Sequence, residues 1–302
     1  MSEEGLRAAT LGLSRLAGAS PTVRAMLWML ACGVLFILLN GLLRLLAQQL
    51  DPFVAGFLRY TAGVVVMIPF IWRAGLAAYR PHTLPGQVWR GALHTSGLLL
   101  WFFAVPHVPL AQITALGFTT PLFIMLGAMI FLKERMVVAR WVAAVIGFAG
   151  VLVVVAPDLS GSGGVYNLIL LASAPLFAAS FLITKAMTRR DPAHVIVVWQ
   201  SIMVALFSLP FALAHWEWPT SGQWALFLLS GALGSAGHVC LTRAFALADM
   251  SVVQPIKFLE LVWAALFGFA VWGEVPGEAT FIGGLIIFAS TTWIARREAR
   301  RR

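Results

Sequence analysis

The sequence predicts an all-α integral membrane protein of ten transmembrane helices arranged as two inverted five-helix repeats. Three observations predict it. Of the 302 residues, 60% are hydrophobic and only 11% charged, whereas a soluble domain carries about 25% charged residues. The chain can be laid on itself with a shift of 140 residues and no gap: Asp51-Pro52 falls on Asp191-Pro192, Gly91-Ala92-Leu93 on Gly231-Ala232-Leu233, Gly97 on Gly237, Ala104 on Ala244 and Glu134 on Glu274. Lys and Arg crowd into alternate loops, as the positive-inside rule requires of a multi-pass chain.

A bilayer crossing needs about 20 mostly apolar residues, and ten stretches meet that need: 25–47, 52–72, 88–105, 109–131, 137–156, 165–187, 193–214, 222–243, 250–272 and 278–295. The first follows Arg24 and carries Asn40; the second follows Asp51-Pro52 and carries Arg59. The third holds Gly91, His94, Ser96, Gly97 and Trp101. In the fourth, Pro121 near mid-span is expected to leave the Gly117 carbonyl without its helical donor, beside the hydroxyls of Thr119 and Thr120. The fifth carries Gly147 and Gly150. In the sixth, Pro175 does to Leu171 what Pro121 does to Gly117, with Ser173 and Ser180 around it. The seventh holds Trp199; the eighth gathers Gly231, Gly234, Ser235, Ala236 and Gly237 ahead of His238. Small residues there allow close helix approach. The ninth contains Lys257, Glu260 and Trp263, and the tenth Gly283-Gly284.

This divides the chain into an N-terminal segment, 1–24; a first repeat, 25–156; a second repeat, 165–295; and a basic tail, 296–302. Five crossings per copy, an odd number, turn the second copy upside down. With the N-terminus cytoplasmic, eighteen of the 21 Lys and Arg fall in inside segments or at the inside ends of spans, and the other three, Arg44, Arg59 and Lys257, fall elsewhere within spans. Both termini are therefore expected in the cytoplasm. The Lys133-Glu134-Arg135 loop and its repeat counterpart at Glu274, which lacks basic neighbours, differ in charge as loops on opposite faces should. A +9 net charge placed this way points to membrane orientation and away from nucleic acid. The region before Arg24 lacks the cleavage pattern of a signal peptide, since the apolar run after it has full span length.

Inverted repeats are the architecture in which two halves exchange conformations around a midplane site. Intramembrane ionisable and polar groups are the first candidates for such a site. Lys257 and Glu260 lie three residues apart on one helix face, roughly 10 and 15 Å into the bilayer from a helix start near Met250. Their repeat counterparts are Gly117 and Thr120, so the fold itself does not demand charges there. His94 and Trp101, Asn40, and the hydroxyls of Thr120 and Ser180 complete the candidate substrate-binding set. The competing readings are an ion pair that lets the ninth helix insert, a structural histidine, and kinks that only shape packing. Glu134 and Glu274 stand at span junctions before a helix start, where a carboxylate complements the helix dipole, and are read as caps.

No span or loop carries a phosphate-binding G-x-x-x-x-G-K-[ST]; Gly161-Ser162-Gly163-Gly164 lacks the lysine. Hydrolase motifs are absent too. Cys32 and Cys240 stand apart without metal-ligand spacing. No cofactor, metal or enzymatic activity is expected, and the short loops leave no room for an effector domain.

Thr120-Pro121 through Leu132-Lys133-Glu134 with Gly147 and Gly150, matched by Leu259-Glu260 through Trp272-Gly273-Glu274 with Gly283-Gly284, together with Phe57-Leu58-Arg59, resemble the drug/metabolite transporter superfamily in its ten-helix form with two EamA-type repeats. The resemblance covers nearly the whole chain after residue 24. It implies a ten-helix basket around a cavity lined by the first, third, fourth, sixth, eighth and ninth helices, in a bacterial inner membrane. Leu261 stands where that family often has proline, so the ninth helix is expected to be straighter than its partner. The function implied is secondary transport of a small polar metabolite by alternating access, most closely amino-acid export. Efflux of organic cations is the alternative, and an intramembrane lipid-modifying enzyme a remote one. The expected partners are the small-molecule substrate and the lipid bilayer; since one chain holds both repeats, a monomer can be complete.

Overall fold

The computed structural model describes residues 19–47, 49–104, 107–108, 116–135, 137–155, 164–273, 275 and 277–300. Glu274, most of the Gly-rich loop and most of the N-terminal segment lie outside the described residues. Among the described residues there are eleven α-helices and no strand. They are α1 (Pro21–Ala47), α2 (Pro52–Ala74), α3 (Leu84–Ala104), α4 (Thr120–Phe131), α5 (Val138–Val155), α6 (Gly164–Met187), α7 (Ala193–Ala214), α8 (Ser221–Leu247), α9 (Met250–Lys257), α10 (Leu259–Trp272) and α11 (Glu278–Arg300).

Local chemistry sets several of these boundaries. Asp51 caps α2 by accepting from the Phe53 N–H at 2.8 Å, with Pro52 in the first turn where a missing N–H costs nothing. Thr220 and Gln223 close a capping box at α8, and Gly273, at φ 68°, ends α10 in the left-handed conformation that glycine adopts without strain. The fourth span is interrupted at its proline, as expected: residues 116–117 are helical, 118–119 form a turn, and α4 starts at Thr120 with Pro121 in its first turn. One expectation is corrected here: the ninth span is not straight. Pro255 supplies no donor to the Ser251 carbonyl, and at Phe258 the chain makes a tighter bond to the Pro255 carbonyl that separates α9 from α10.

Among the described residues, seven helical stretches are long and apolar enough to cross a bilayer, α9 and α10 counting as one, while α4 and α5 are shorter apolar helices. Helix α3 qualifies as neither. Its hydropathy is lowered by Gln87, Arg90, His94 and Thr95, all buried against protein. Arg90 is the clearest case, only 1% exposed, donating to Thr184 Oγ1 at 2.5 Å, to the Ile196 carbonyl at 2.8 Å and to Gln200 Oε1. Guanidinium donors cannot stay unpaired in hydrocarbon, and here three oxygens of α6 and α7 supply partners.

Where helices cross, glycine permits backbone contact. A Cβ on Gly231 of α8 would lie 2.5 Å from the Ala62 carbonyl carbon of α2, and one on Gly283 of α11 would lie 2.5 Å from the Gly150 carbonyl oxygen of α5. Apolar side chains such as Phe70, Val145, Leu168, Leu213 and Leu285 point outward, as a lipid-facing surface requires. Cys32 and Cys240 are free and buried.

One end of the bundle is fastened by charge. Glu134, just past α4, accepts from the Met250 N–H at 2.7 Å, the Ser251 N–H at 3.1 Å and the Ser251 hydroxyl at 2.8 Å. It is a cap, as expected, but of α9 in the other repeat rather than of the helix that follows it. Lys185 of α6 donates to the Phe245 and Ala248 carbonyls at 2.5 and 2.8 Å, closing the end of α8. Arg140 of α5 pairs with Asp249 at 3.1 Å and with Glu298 of α11 at 3.2 Å. Thus the fourth span ends where its repeat counterpart, the ninth span, begins with α9.

Candidate functional site

Lys257 closes α9 and Glu260 opens α10, so the break at Phe258 places the cation at a helix C-terminus and the carboxylate at a helix N-terminus. Each charge complements its helix dipole. Lys257 Nζ lies 3.6 Å from Glu260 Oε1, an ion pair too long for a hydrogen bond, and Oε1 is buried with no hydrogen-bond partner. The side chains keep 19% and 14% of their surface accessible. They therefore face a space and are not sealed in packed core.

Rings from four other helices surround this pair. Lys257 Nζ is 5.8 Å from the ring centre of Phe36 on α1 and 5.9 Å from that of Phe181 on α6, within cation–π range. Phe36 lies edge-to-face with His238 of α8 at 5.1 Å, and its ring occupies the space a Cβ on Gly237 would need. His94 of α3 joins the group with ring centres 6.0 Å from His238, 5.2 Å from Phe177 and 6.0 Å from Phe181. On its other side, His94 Nε2 is 2.9 Å from the Tyr60 hydroxyl of α2. The Nδ1 atoms of His94 and His238 are buried without partners.

Helix α1 covers the pair with its barest point. A Cβ on Gly33 would sit 3.3 Å from Glu260 Cγ and 3.7 Å from Trp263. Asn40 lies seven residues on, along the same stripe as Gly33 and Phe36, and is exposed. Two helical turns separate it from Gly33, roughly 10 Å, on the side away from the fastened end.

The sequence-predicted residues thus divide. Lys257, Glu260 and His94 are brought into one aromatic group, and Asn40 lies on the stripe leading to it. Ser180 is fully buried and donates to the Arg90 carbonyl at 3.2 Å, tying α6 to α3. Trp101 belongs to a separate cluster with Ala104, Val108 and Leu170, its ring 5.2 Å from Phe102. Thr120 opens α4 and is buried there, outside the hydrogen bonds of the central group. Sequence reasoning missed Phe36, Tyr60, Phe177 and Phe181, whose residue types carry no signal in an apolar span. His238 and Arg59 were visible as ionisable groups inside spans but stood outside the candidate set.

The pattern of the EamA-like transporter family matches residues 23–156 and again 165–296. The chain is 36% identical over 285 residues to a riboflavin transporter of Rhizobium johnstonii, covering 93% of this chain and 94% of that one. It is 29% identical over 258 residues to an S-adenosylmethionine uptake transporter of Rickettsia prowazekii, covering 84% and 86%. A solved structure described as "Crystal structure of protein" superposes with a TM-score of 0.78 over 93% of this chain and 99% of the other, at 19% identity, a likeness of fold. Two copies of one pattern across nearly the whole chain, on an all-helical fold with a polar centre, place it: the chain belongs to the EamA-like transporter family, within the drug/metabolite transporter superfamily.

Proposed function

We propose that the chain is a secondary carrier for a flat heteroaromatic metabolite, riboflavin being the first compound to test. The observation that carries this reading is the composition of the central group: Phe36, Tyr60, His94, Phe177, Phe181 and His238 converge around a single ion pair. Rings arranged edge-to-face offer a planar substrate stacking surfaces, and the unpartnered atoms Glu260 Oε1, His94 Nδ1 and His238 Nδ1 offer it hydrogen bonds. The relatives named for riboflavin and S-adenosylmethionine both concern molecules with a fused heterocycle, which supports the same class.

Transport follows from alternating access. The ten crossings are two inverted five-helix repeats in a bacterial inner membrane with both termini cytoplasmic, a reading supported by the Lys and Arg distribution and by the meeting of the α4 end with the α9 start. The fastened end is then the cytoplasmic one, and the site opens along the Asn40 stripe to the outside. Release inward requires Glu134 to leave α9 and Lys185 to leave α8.

Amino-acid export is the second reading, favoured by one observation: at 3.6 Å the Lys257–Glu260 pair is looser than the 2.7–2.9 Å of a charge-assisted hydrogen bond, so a zwitterion can insert between its members. Organic-cation efflux fits less well, since Arg59 and Lys257 outnumber Glu260. Purified protein in liposomes, offered labelled riboflavin, an amino-acid panel and a quaternary ammonium ion, decides among them. Riboflavin flux is expected; flux of amino acids or of the cation without riboflavin overturns the first reading.

A further inference from the structure

Five cations in the described membrane helices are partly or fully buried, and four of them are visibly compensated. Arg90 is held by oxygens of Thr184, Ile196 and Gln200; Arg140 by Asp249 and Glu298; Lys185 by two carbonyls; Lys257 by Glu260. Arg59 of α2 is the exception. Among the described residues it has no carboxylate and no hydrogen-bond acceptor, its Nε is buried without a partner, and its guanidinium lies only over the ring of Tyr60, 4.3 Å from the ring centre. An intramembrane arginine is costly to insert, and a fold that answers the other four charges leaves this one open.

Its surroundings connect it to the site. Tyr60, its neighbour in sequence, meets His94 at 2.9 Å. Gly234 of α8 provides the space for the guanidinium, since a Cβ there would stand 2.9 Å from Arg59 Nη2. His238 follows one helical turn after Gly234 on the same face, and Ser235, next in sequence to Gly234, has a buried and unpartnered Oγ that would lie 3.2 Å from a Cβ on Gly63 of α2. Arg59 sits seven residues into α2 from Pro52, roughly 10 Å, at the half of the bundle toward which the Asn40 stripe opens.

We propose that Arg59 is a substrate-recognition residue, reading a paired acceptor edge on a flat heterocycle, such as the adjacent ring carbonyl and ring nitrogen of a flavin. This rests on the carrier reading above. A guanidinium presents parallel N–H donors that match two neighbouring acceptors, while the rings of His94, His238 and the phenylalanines take the flat body. The net charge of the site, two cations against one carboxylate, favours an electron-rich or anionic edge over a cationic one.

The test uses the full-length protein in detergent, with quenching of riboflavin fluorescence as the measure of binding. Arg59→Gln is expected to weaken binding about 10- to 100-fold, the worth of hydrogen bonds to a charged group, without lowering the thermal midpoint. The wild type is expected to prefer riboflavin over at least one of its 2-thio and 4-thio analogues, because sulfur is the poorer acceptor, and Arg59→Gln to erase that preference. Gly234→Ala, which keeps the arginine but crowds its head, is expected to weaken binding as well and serves if Arg59→Gln fails to fold. Wild-type binding that survives Arg59→Gln, or Gly234→Ala where the former does not fold, with affinity and analogue preference intact overturns this proposal alone. Failure of the wild type to bind riboflavin overturns both it and the carrier reading.

Discussion

Glu134 and Ser251 belong to different repeats, yet both carboxylate oxygens of Glu134 are engaged at the start of α9, Oε2 taking the N–H of Ser251 at 3.1 Å and its hydroxyl at 2.8 Å. A side chain that caps a helix of the opposite repeat couples the two halves. It joins them at the end where they must separate if the site is to open there.

Glu134→Ala should loosen that end. Loss of a cap costs about 1 kcal/mol, which changes the open population about fivefold. In a background lacking Cys32 and Cys240, a cysteine at Val253, fully buried in α9, should react with a thiol reagent several-fold faster in Glu134→Ala than without it. Equal rates would mean that the contact does not hold the end closed.

For the ion pair, the three variants Lys257→Met, Glu260→Gln and both together separate insertion from binding. Either single change leaves a charge at depth without its partner and should lower stability by roughly 3 kcal/mol. The double variant should recover stability in detergent. Flux should be lost in all three if the pair contacts substrate. A double variant that folds and transports normally leaves the pair a purely structural role.

How much of this was legible depended on chemistry and on distance along the chain. Lys257, Glu260 and His94 stood out because polar groups are costly inside a span, and they do converge. Phe36, Phe177 and Phe181 could not be singled out, since an aromatic side chain in an apolar helix is the same letter whether it faces lipid or substrate. The break at Phe258 was legible in Pro255, although Leu261, where a proline was missing, argued for a straighter helix. That Glu134 caps was readable from its place at a span junction; which helix it caps was not, because its partner lies 116 residues away. Arg90 was legible only as one of the inside charges, and only the packing of α3 against α6 and α7 reveals the oxygens that hold it.

His94 allows a sharper separation of fold from function. His94→Ala strands the Tyr60 hydroxyl, on a residue only 4% exposed, at a cost of about 1–3 kcal/mol. Adding Tyr60→Phe removes the stranded group, so the double variant should regain much of that stability. Substrate affinity should remain low, since the imidazole between Phe177 and His238 is still missing. Recovery of both stability and affinity would return His94 to a structural part.

The crossing of α2 and α8 bears on the site from outside it. Gly231 meets the backbone of Ala62 and Gly63, where no side chain can yield. Gly231→Leu should therefore force the helices apart, at a cost above the 1–3 kcal/mol typical of overpacking, and abolish folded protein in a thermal-stability assay. Gly222, with open space at its Cβ position, should accept leucine with little change.

The sidedness of the loops tests the inversion itself. Position 80 follows a short 3-10 turn after α2 and is exposed, as is position 217 between α7 and α8; position 160, in the loop between the repeats, lies outside the described residues. If five crossings separate the repeats, 160 and 217 face the outside and 80 the cytoplasm, because the chain passes from 80 to 160 through three helices and from 160 to 217 through two. Single cysteines at 160 and 217 should react with a membrane-impermeant thiol reagent on intact cells, and one at 80 only after the membrane is opened. Labelling of 80 and 160 from the same side would require an even number of crossings between them. The second repeat would then stand upright, and the Lys257–Glu260 pair would not lie on an axis relating two opposed halves.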